Sequence, residues 1–199
     1  LVYTDVNSPE DWAVAIEDVL LSPPEQHQLE MVTFGSYVGF YNEESSSTEG
    51  SNPFHYSQDG IFWNESELPF NIGESGESVE LNASLFLVSP NGAADGGPSI
   101  RVATTSNGAD WTELSVSLPV SEFGLFELEA FANQIWLFGV SDGENLLLKS
   151  SDGATWDEVA TPAWETSADG VETVSTPERL VVLAPQSGSF MFRYVWSST

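Results

Sequence analysis

Carboxyl groups are the most numerous side chains with reactive potential in this sequence of 199 residues. Two carboxyl groups that flank a glycosidic bond can act as acid and base, or as acid and nucleophile, in glycoside hydrolysis. With 31 acidic residues in the chain, some carboxylates lie close together by chance, so spacing identifies no catalytic pair. We therefore assign no catalytic residue and favour solvated surface charge for the candidates between apolar runs, which are Glu43, Glu44, Glu49, Glu74, Glu77, Asp95 and Asp169.

A smaller set of loop residues is retained for ligand binding. Binding residues on a rigid scaffold concentrate in its loops. An indole in such a loop can stack on a sugar or on a protein partner, although it can equally fill a gap in the packing. The binding candidates are Glu43, Glu44, Asp95, Trp164 and Asp169.

Metal and cofactor chemistry has little support in the sequence. Residues 91–97 offer oxygen ligands of the kind that Ca²⁺ prefers, but the spacing of an EF-hand loop is missing. His27 and His55 have no partner at ligand spacing, and the absence of cysteine excludes thiolate ligands and nucleophiles. We predict no cofactor and no metal-binding residue, with calcium as the alternative.

The net charge of the chain restricts its partners. Its 31 acidic and four basic residues give a charge of -27, which repels nucleic-acid phosphates and anionic lipids. No apolar run reaches the roughly 18 residues that indicate a membrane span. We expect no nucleic-acid binding and no membrane insertion. The acidity suits an extracellular or cell-surface location, or a high-salt environment.

A heptapeptide that occurs three times provides the structural framework. Its pattern is a hydroxyl residue, any residue, Asp or Asn, Gly, any two residues, and Trp. The glycine tolerates the positive φ of a tight reversal, and the hydroxyl and Asx oxygens can accept hydrogen bonds from N–H groups inside the turn. The tryptophan then anchors the turn to the core. The residues at the four defined positions are Ser57, Asp59, Gly60 and Trp63; Thr105, Asn107, Gly108 and Trp111; and Ser150, Asp152, Gly153 and Trp156.

The spacing of the heptapeptides predicts a repeat fold. Their tryptophans, preceded by Trp12 of a degenerate copy, follow one another at intervals of 51, 48 and 45 residues. This period is typical of propeller blades, which are small sheets that bury their faces only against their neighbours. Short β-rich runs separated by turn residues fill each interval. We therefore predict an all-β protein, a β-propeller of four-stranded antiparallel blades, with about four blades in this chain.

The repeat predicts that residues 1–199 form a single propeller or propeller segment. Residues 1–22 are predicted strands that close or end a blade, residues 28–69, 77–119 and 125–161 are blades, and residues 170–199 are an incomplete blade. Residues 12–21 also fit a helical face, but the repeat favours a strand. The N-terminal strand can close a four-bladed ring by pairing with the last unit. Because that closure leaves a spare third strand, we favour a segment of a larger propeller, or one completed by another chain.

The third heptapeptide, Ser-Ser-Asp-Gly-Ala-Thr-Trp, resembles the Asp-box, or BNR repeat, of sialidase-like β-propellers. The common Asp-box has one more residue before the tryptophan, and the other copies depart further at Phe62, Asn107 and Asp110. The resemblance implies that the heptapeptides are structural. It also implies that ligands bind at the opposite face, built from loops that enter the blades and loops that join second to third strands. Those loops are residues 42–52, 69–78, 89–98, 119–124 and 161–170.

The resemblance does not select an activity, because one fold hosts many functions. Sialidases use three arginines, a Tyr–Glu pair and an acid, but the Phe/Tyr-Arg-Ile-Pro motif of the family is missing, and its nearest counterpart at Arg193 lies on a predicted third strand. We predict a non-catalytic extracellular or cell-surface module that binds a protein or glycan, joins further blades, or serves structural assembly. The alternative is a segment of a sialidase-like glycoside hydrolase.

Overall fold

The structure is a computed structural model, and it describes most of the repeat framework. The described residues are 2–5, 8–14, 29–42, 52–72, 76–90, 100–121, 123–141, 144–160, 172–176, 178–185 and 192–198. Among them are only strands, turns and irregular segments, so this part of the chain has no helix of the length and apolarity that a bilayer span requires.

The strands group into five antiparallel sheets. A two-stranded hairpin comes first, formed by β1 (Val2–Asp5) and β2 (Ser8–Val14). Blade 1 contains β3 (Leu29–Phe34), β4 (Tyr37–Asn42), β5 (Pro53–Ser57) and β6 (Asn64–Glu67). Blade 2 contains β7 (Glu77–Leu81), β8 (Ser84–Ser89), β9 (Arg101–Thr105) and β10 (Thr112–Leu114). Blade 3 contains β11 (Gly124–Phe131), β12 (Gln134–Ser141), β13 (Glu144–Ser150) and β14 (Asp157–Glu158). The last sheet contains β15 (Glu172–Thr176), β16 (Arg179–Pro185) and β17 (Phe192–Ser198).

Each blade is a meander in which consecutive strands are neighbours, as the order β3-β4-β5-β6 illustrates. This arrangement confirms the predicted fold class: the protein is all-β, with the four-stranded antiparallel blades of a β-propeller. The fourth strand is the shortest of each blade. The alternation of apolar and polar residues in 111–118 fits one long strand, but β10 ends at Leu114, and Ser117 instead pairs with Thr155 in the next blade.

Tight turns join the first and second strands of the blades. In blade 2 the turn residues Asn82 and Ala83 have φ angles of 54° and 62°, and in blade 3 Ala132 and Asn133 have φ angles of 51° and 61°. Two consecutive positive φ angles are the signature of the type I′ turn, whose twist matches that of the flanking strands. Alanine is strained in this region because of its Cβ atom, so both turns hold a residue that sterics disfavour.

The core lies between the blades, and each blade packs on the one that follows it in the chain. We call the face of a blade that packs on the preceding blade its near face, and the opposite face its far face. The far face of blade 1 contributes Phe34 and Phe54 to a cluster with Leu85 and Leu87 from the near face of blade 2. Burial of such side chains drives the association, at about 25 cal/mol per Å² of apolar surface.

The same arrangement recurs at the next two boundaries. Val88 and Val102 of blade 2 pack against Leu137 and Leu148 of blade 3. The far face of blade 3 then packs against the sheet β15–β17, where Trp136, Phe138 and Leu147 meet Leu180 and Val182. A stack of this kind is held together by contacts between nearest neighbours.

Candidate functional site

The heptapeptide of blade 3 is a self-contained hydrogen-bonded turn. Asp152 Oδ1 accepts hydrogen bonds from the backbone N–H groups of Ala154 and Thr155, at 2.8 and 2.9 Å. Ser150 Oγ accepts from the N–H groups of Asp152 and Gly153, at 3.2 and 2.8 Å. Gly153 supplies the positive φ of 73° that the reversal requires. Ser150, Asp152 and Gly153 therefore act together to close this turn.

The heptapeptide of blade 1 reproduces this network. Asp59 Oδ1 accepts from the N–H groups of Ile61 and Phe62, at 2.8 and 2.9 Å, and Ser57 Oγ accepts from the Gly60 N–H at 2.9 Å. These backbone hydrogen bonds stabilise the ionised carboxylate, so the pKa of Asp59 is lowered from its ordinary value of 3.8. The pKa of Asp152 is lowered for the same reason, chiefly by the Thr155 and Ala154 N–H groups.

The heptapeptide of blade 2 keeps the geometry with asparagine in place of aspartate. Asn107 Oδ1 accepts from the N–H groups of Ala109 and Asp110, both at 2.9 Å. The amide Nδ2 of Asn107 also donates to the carboxylate of Asp110 at 2.9 Å. The two departures from the Asp-box pattern in this copy therefore compensate each other, because the second residue supplies an acceptor for the extra donor of the first.

The tryptophans fix the turns to the blades in two ways. The indole N–H groups of Trp63 and Trp156 donate to the carbonyl oxygens of Gly60 and Gly153, both at 3.0 Å. The indole N–H of Trp111 donates instead to Ser66 Oγ of blade 1, at 3.1 Å.

The Ser66 hydroxyl in turn donates to the Gly108 carbonyl, at 2.6 Å. This hydroxyl therefore bridges blades 1 and 2. The heptapeptide pattern does not predict the bridge, because Ser66 lies in β6, outside the heptapeptides.

The end of the blades opposite the heptapeptides is the predicted ligand face. In an antiparallel blade the heptapeptides, which join third to fourth strands, share one end with the hairpin turns, and the connections from second to third strands lie at the other. Residues 43–52 and 90–100 are such connections in blades 1 and 2. The predicted binding residues Glu43, Glu44, Asp95, Trp164 and Asp169 all lie outside the described residues, so their role stays a prediction.

An arginine anchor lies beside the second of these connections. Arg101 begins β9 and forms a bidentate ion pair with Glu113, with Nε–Oε1 and Nη2–Oε2 distances of 2.8 and 3.0 Å. The guanidinium also lies over the Phe70 ring, 4.5 Å from its centroid. Two parallel hydrogen bonds and a cation–π contact fix a side chain that would otherwise be mobile. In the sequence, this ion pair is indicated only by the opposite charges of Arg101 and Glu113 on the two strands that flank the second heptapeptide.

His55 is packed against an aromatic side chain. Its ring stacks on Phe40 with a centroid distance of 4.6 Å, and its Nδ1 lies 3.8 Å from a carboxylate oxygen of Glu65. Partial burial lowers the pKa of His55, and the negative charge of Glu65 opposes part of that change. Among the described residues, no group of three or more His, Asp or Glu side chains is placed to hold a metal ion.

Comparisons with known proteins agree with the fold. No protein-family model matches the chain, and the comparison with curated proteins found no match. The chain is similar, at 11% identity and a TM-score of 0.59, to a structure from a structural and mechanistic study of two prolyl endopeptidases, with 98% of this chain and 30% of that one covered.

Glycoside hydrolases with β-propeller folds are also among the similar structures. One is Zg3597, a family 117 enzyme of the marine bacterium Zobellia galactanivorans, at 10% identity and a TM-score of 0.47, with 86% of this chain and 72% of that one covered. Another is the GH32 β-fructofuranosidase BmSUC1 of Bombyx mori, at 13% identity and a TM-score of 0.43, with 77% of this chain and 41% of that one covered. The chain spans less than half the length of the prolyl endopeptidase and fructofuranosidase structures.

Proposed function

We propose that this chain is a non-catalytic β-propeller module that binds a protein or a glycan through the connections between second and third strands. The observation that carries the proposal is the hydrogen bonding of the heptapeptides. In all three, the hydroxyl and Asx oxygens accept N–H groups of their own turn. Polar groups engaged in this way hold the scaffold, which leaves recognition to the other end of the blades.

The heptapeptides are, on this proposal, Asp-boxes of the sialidase-like kind. Their side chains do what the Asp-box resemblance implies, since they close the turn between third and fourth strands and anchor it by an indole. The lowered pKa values of Asp59 and Asp152 fit a structural role, because a general acid at neutral pH needs a raised pKa.

The ligand of the proposed module is neutral or positively charged. A protein with a net charge of -27 repels anionic ligands at long range and attracts basic ones. Arg101 does not offset this preference, since Glu113 already neutralises it. Such a surface suits an extracellular or cell-surface protein, and we propose that location. The module needs no cofactor, and calcium bound by residues 91–97 is the alternative.

A glycan microarray that holds neutral, cationic and sialylated oligosaccharides tests the proposal. We expect retention of neutral or cationic glycans, unchanged by EDTA, without release of reducing sugar from the bound ligand. Replacing residues 43–50 or 91–97 by Gly-Ser segments of equal length should abolish retention. The matched control is Ser151→Trp, which places a large side chain at an exposed position of a heptapeptide and should leave retention intact.

Two results would count against the module. Loss of retention in Ser151→Trp, with retention kept in the segment replacements, would move the ligand to the heptapeptide end. Release of reducing sugar from any array ligand would favour the alternative function, a segment of a glycoside hydrolase. In that case the carboxylates between the apolar runs become candidates for the catalytic acid and base: Glu43, Glu44, Glu49, Glu74, Glu77, Asp95 and Asp169.

A further inference from the structure

Polar side chains lie in the boundary between blades 1 and 2, at the end of the blades where second strands lead to third strands. Asn52 comes directly before β5, and only 7% of it is exposed. Ser89 ends β8 and is fully buried, and Arg101 begins β9. Phe70 belongs to the segment that leads from blade 1 into blade 2. We call these four residues the boundary cluster.

Contacts with this one segment hold the boundary cluster together. The side-chain Nδ2 of Asn52 donates to the Phe70 carbonyl at 3.4 Å. Ser89 Oγ donates to the Ile72 carbonyl at 2.8 Å. The guanidinium of Arg101 lies 4.5 Å from the centroid of the Phe70 ring. The segment therefore contacts the end of a connection in blade 1 and both residues that flank the connection in blade 2.

An apolar residue occupies the position of Asn52 at the next boundary. Asn52 and Ile100 occupy one position of the repeat, because each lies five residues before the first residue of its heptapeptide. Ile100 is fully buried in the apolar core between blades 2 and 3. The fold therefore accepts an isoleucine at this position, and packing alone does not require the asparagine.

The other strand positions of the cluster show the same contrast. Ser89 pairs with Arg101 across blade 2, and the corresponding pair of blade 3 is Gly139 with Leu146. Leu146 packs against the apolar core between blades 2 and 3. The polar set is thus specific to the boundary between blades 1 and 2. Residues that depart from the local pattern of a repeat in this way are expected at functional sites.

Asn52 holds a buried acceptor that has no partner among the described residues. Its Nδ2 donates to the Phe70 carbonyl, and this bond distinguishes the amide nitrogen from Oδ1. Oδ1 is buried and accepts no hydrogen bond. An unpaired buried acceptor destabilises a folded protein, so such an atom indicates a partner supplied from outside the chain.

Arg101 supplies unused donors on the other side of Phe70. Its ion pair with Glu113 uses Nε and Nη2. A guanidinium has five N–H groups, so those of Nη1 stay outside the ion pair. The Arg101 side chain is 36% exposed, which makes these donors accessible to a ligand. Because Glu113 neutralises the guanidinium, the site offers hydrogen bonds without net charge.

A hydroxyl-rich neutral ligand matches this arrangement. A hydroxyl group donates to one partner and accepts from another, and a single hydroxyl is small enough to reach a buried atom. We propose that the boundary cluster is a subsite for a neutral saccharide, with one hydroxyl donating to Asn52 Oδ1 and a second oxygen accepting from Arg101 Nη1. The subsite rests on the proposed binding function and selects a glycan as the class of ligand.

Nuclear magnetic resonance of the Asn52 side-chain amide tests the contact directly. Protein labelled with nitrogen-15 is titrated with a panel of neutral monosaccharides and disaccharides, and the Asn52 signal is assigned by its absence in Asn52→Ile. We expect at least one saccharide to shift this signal, while the side-chain amide of Asn145, at the equivalent position of blade 3, stays unchanged. An Asn52 signal that no saccharide shifts would overturn the proposal and leave a buried water as the partner of Oδ1.

Asn52→Ile tests the role of the acceptor in binding, because it introduces the residue that occupies the equivalent position of blade 2. We expect at least tenfold weaker retention on the glycan microarray. The melting temperature should stay unchanged or rise by about 2–4 °C, because an unpaired acceptor is removed from the core. The matched control is Asn145→Ile, the same change at the equivalent position of blade 3, and it should keep retention.

The outcomes separate the subsite from the module. Unchanged retention in Asn52→Ile would overturn the subsite, whereas retention lost in the segment replacements would still support the module. A lower melting temperature together with lost retention would assign Asn52 to the scaffold and overturn the subsite, and so would an equal loss of retention in Asn145→Ile. If the array retains no glycan, the titration alone decides.

Discussion

The contribution of Asp152 to the heptapeptide of blade 3 can be predicted in magnitude. Its carboxylate accepts two backbone hydrogen bonds, at 2.8 and 2.9 Å. Asp152→Ala removes Oδ1, the single atom that accepts both hydrogen bonds, and leaves the N–H groups of Ala154 and Thr155 without that partner. Asp152→Asn keeps an acceptor oxygen in the same place, as Asn107 demonstrates in blade 2. The two variants therefore separate the hydrogen bonds from the charge.

Hydrogen bonds to a charged group contribute about 1.5–3 kcal/mol each, and water can replace part of that at an exposed turn. We expect Asp152→Ala to lower the free energy of unfolding by about 2 kcal/mol, which lowers the melting temperature by about 4–8 °C for a chain of this size. Asp152→Asn should cost about 0.5–1 kcal/mol, because only the assistance of the charge is lost.

Thermal and urea unfolding followed by circular dichroism measure both variants. Asn107→Asp is the reciprocal change in blade 2, and it should also destabilise the protein, because it replaces the hydrogen bond to Asp110 by the repulsion of two facing carboxylates while the same two N–H groups stay bonded. The reasoning would be refuted by a cost of Asp152→Ala within about 0.5 kcal/mol of zero, the usual range for exposed surface substitutions. Equal costs for the alanine and asparagine variants would also refute it.

Three further predictions concern the bridge, a turn and the pH dependence. Ser66→Ala should lower the free energy of unfolding by about 1–2 kcal/mol in urea titrations, because the Trp111 indole loses its acceptor; an unchanged midpoint would contradict the bridge. Ala132→Gly should raise the melting temperature, since glycine relieves about 1 kcal/mol of strain at a φ of 51°; a lower melting temperature would contradict the turn. The pKa of Asp59 is lowered in the folded protein. Its ionised carboxylate therefore contributes to folding stability at pH values above its unfolded-state pKa near 3.8, and this contribution is lost as the pH falls through the folded-state pKa. The stability difference between the native chain and Asp59→Asn should therefore shrink as acid titration passes below pH 3.8, and a constant difference would refute this.

The framework of this protein was predictable because the heptapeptide combines three local requirements. A positive φ at Gly153, acceptors at Ser150 and Asp152, and an anchoring indole at Trp156 are all fixed by residues within one turn. Local chemistry of this kind can be recognised in a sequence, and three copies in register then predict the blades.

Contacts between blades were harder to predict, because they join residues far apart in sequence. Ser66 bridges to Trp111 across a blade boundary, and Arg101 stacks on Phe70 in the connection from the blade before it. The fourth strand of blade 2 is shorter than the alternation in residues 111–118 indicates, for a related reason. The alternating pattern around Val116 reflects packing on the core between blades 2 and 3, and pairing within the blade ends before it.

The central claim is that the heptapeptides are structural and that ligands bind at the opposite end of the blades. Hydrogen exchange with and without a glycan retained on the array tests it most directly. We predict slower exchange in peptides from residues 43–52 and 90–100, with unchanged exchange in residues 57–63, 105–111 and 150–156. Protection confined to the three heptapeptides would contradict the claim.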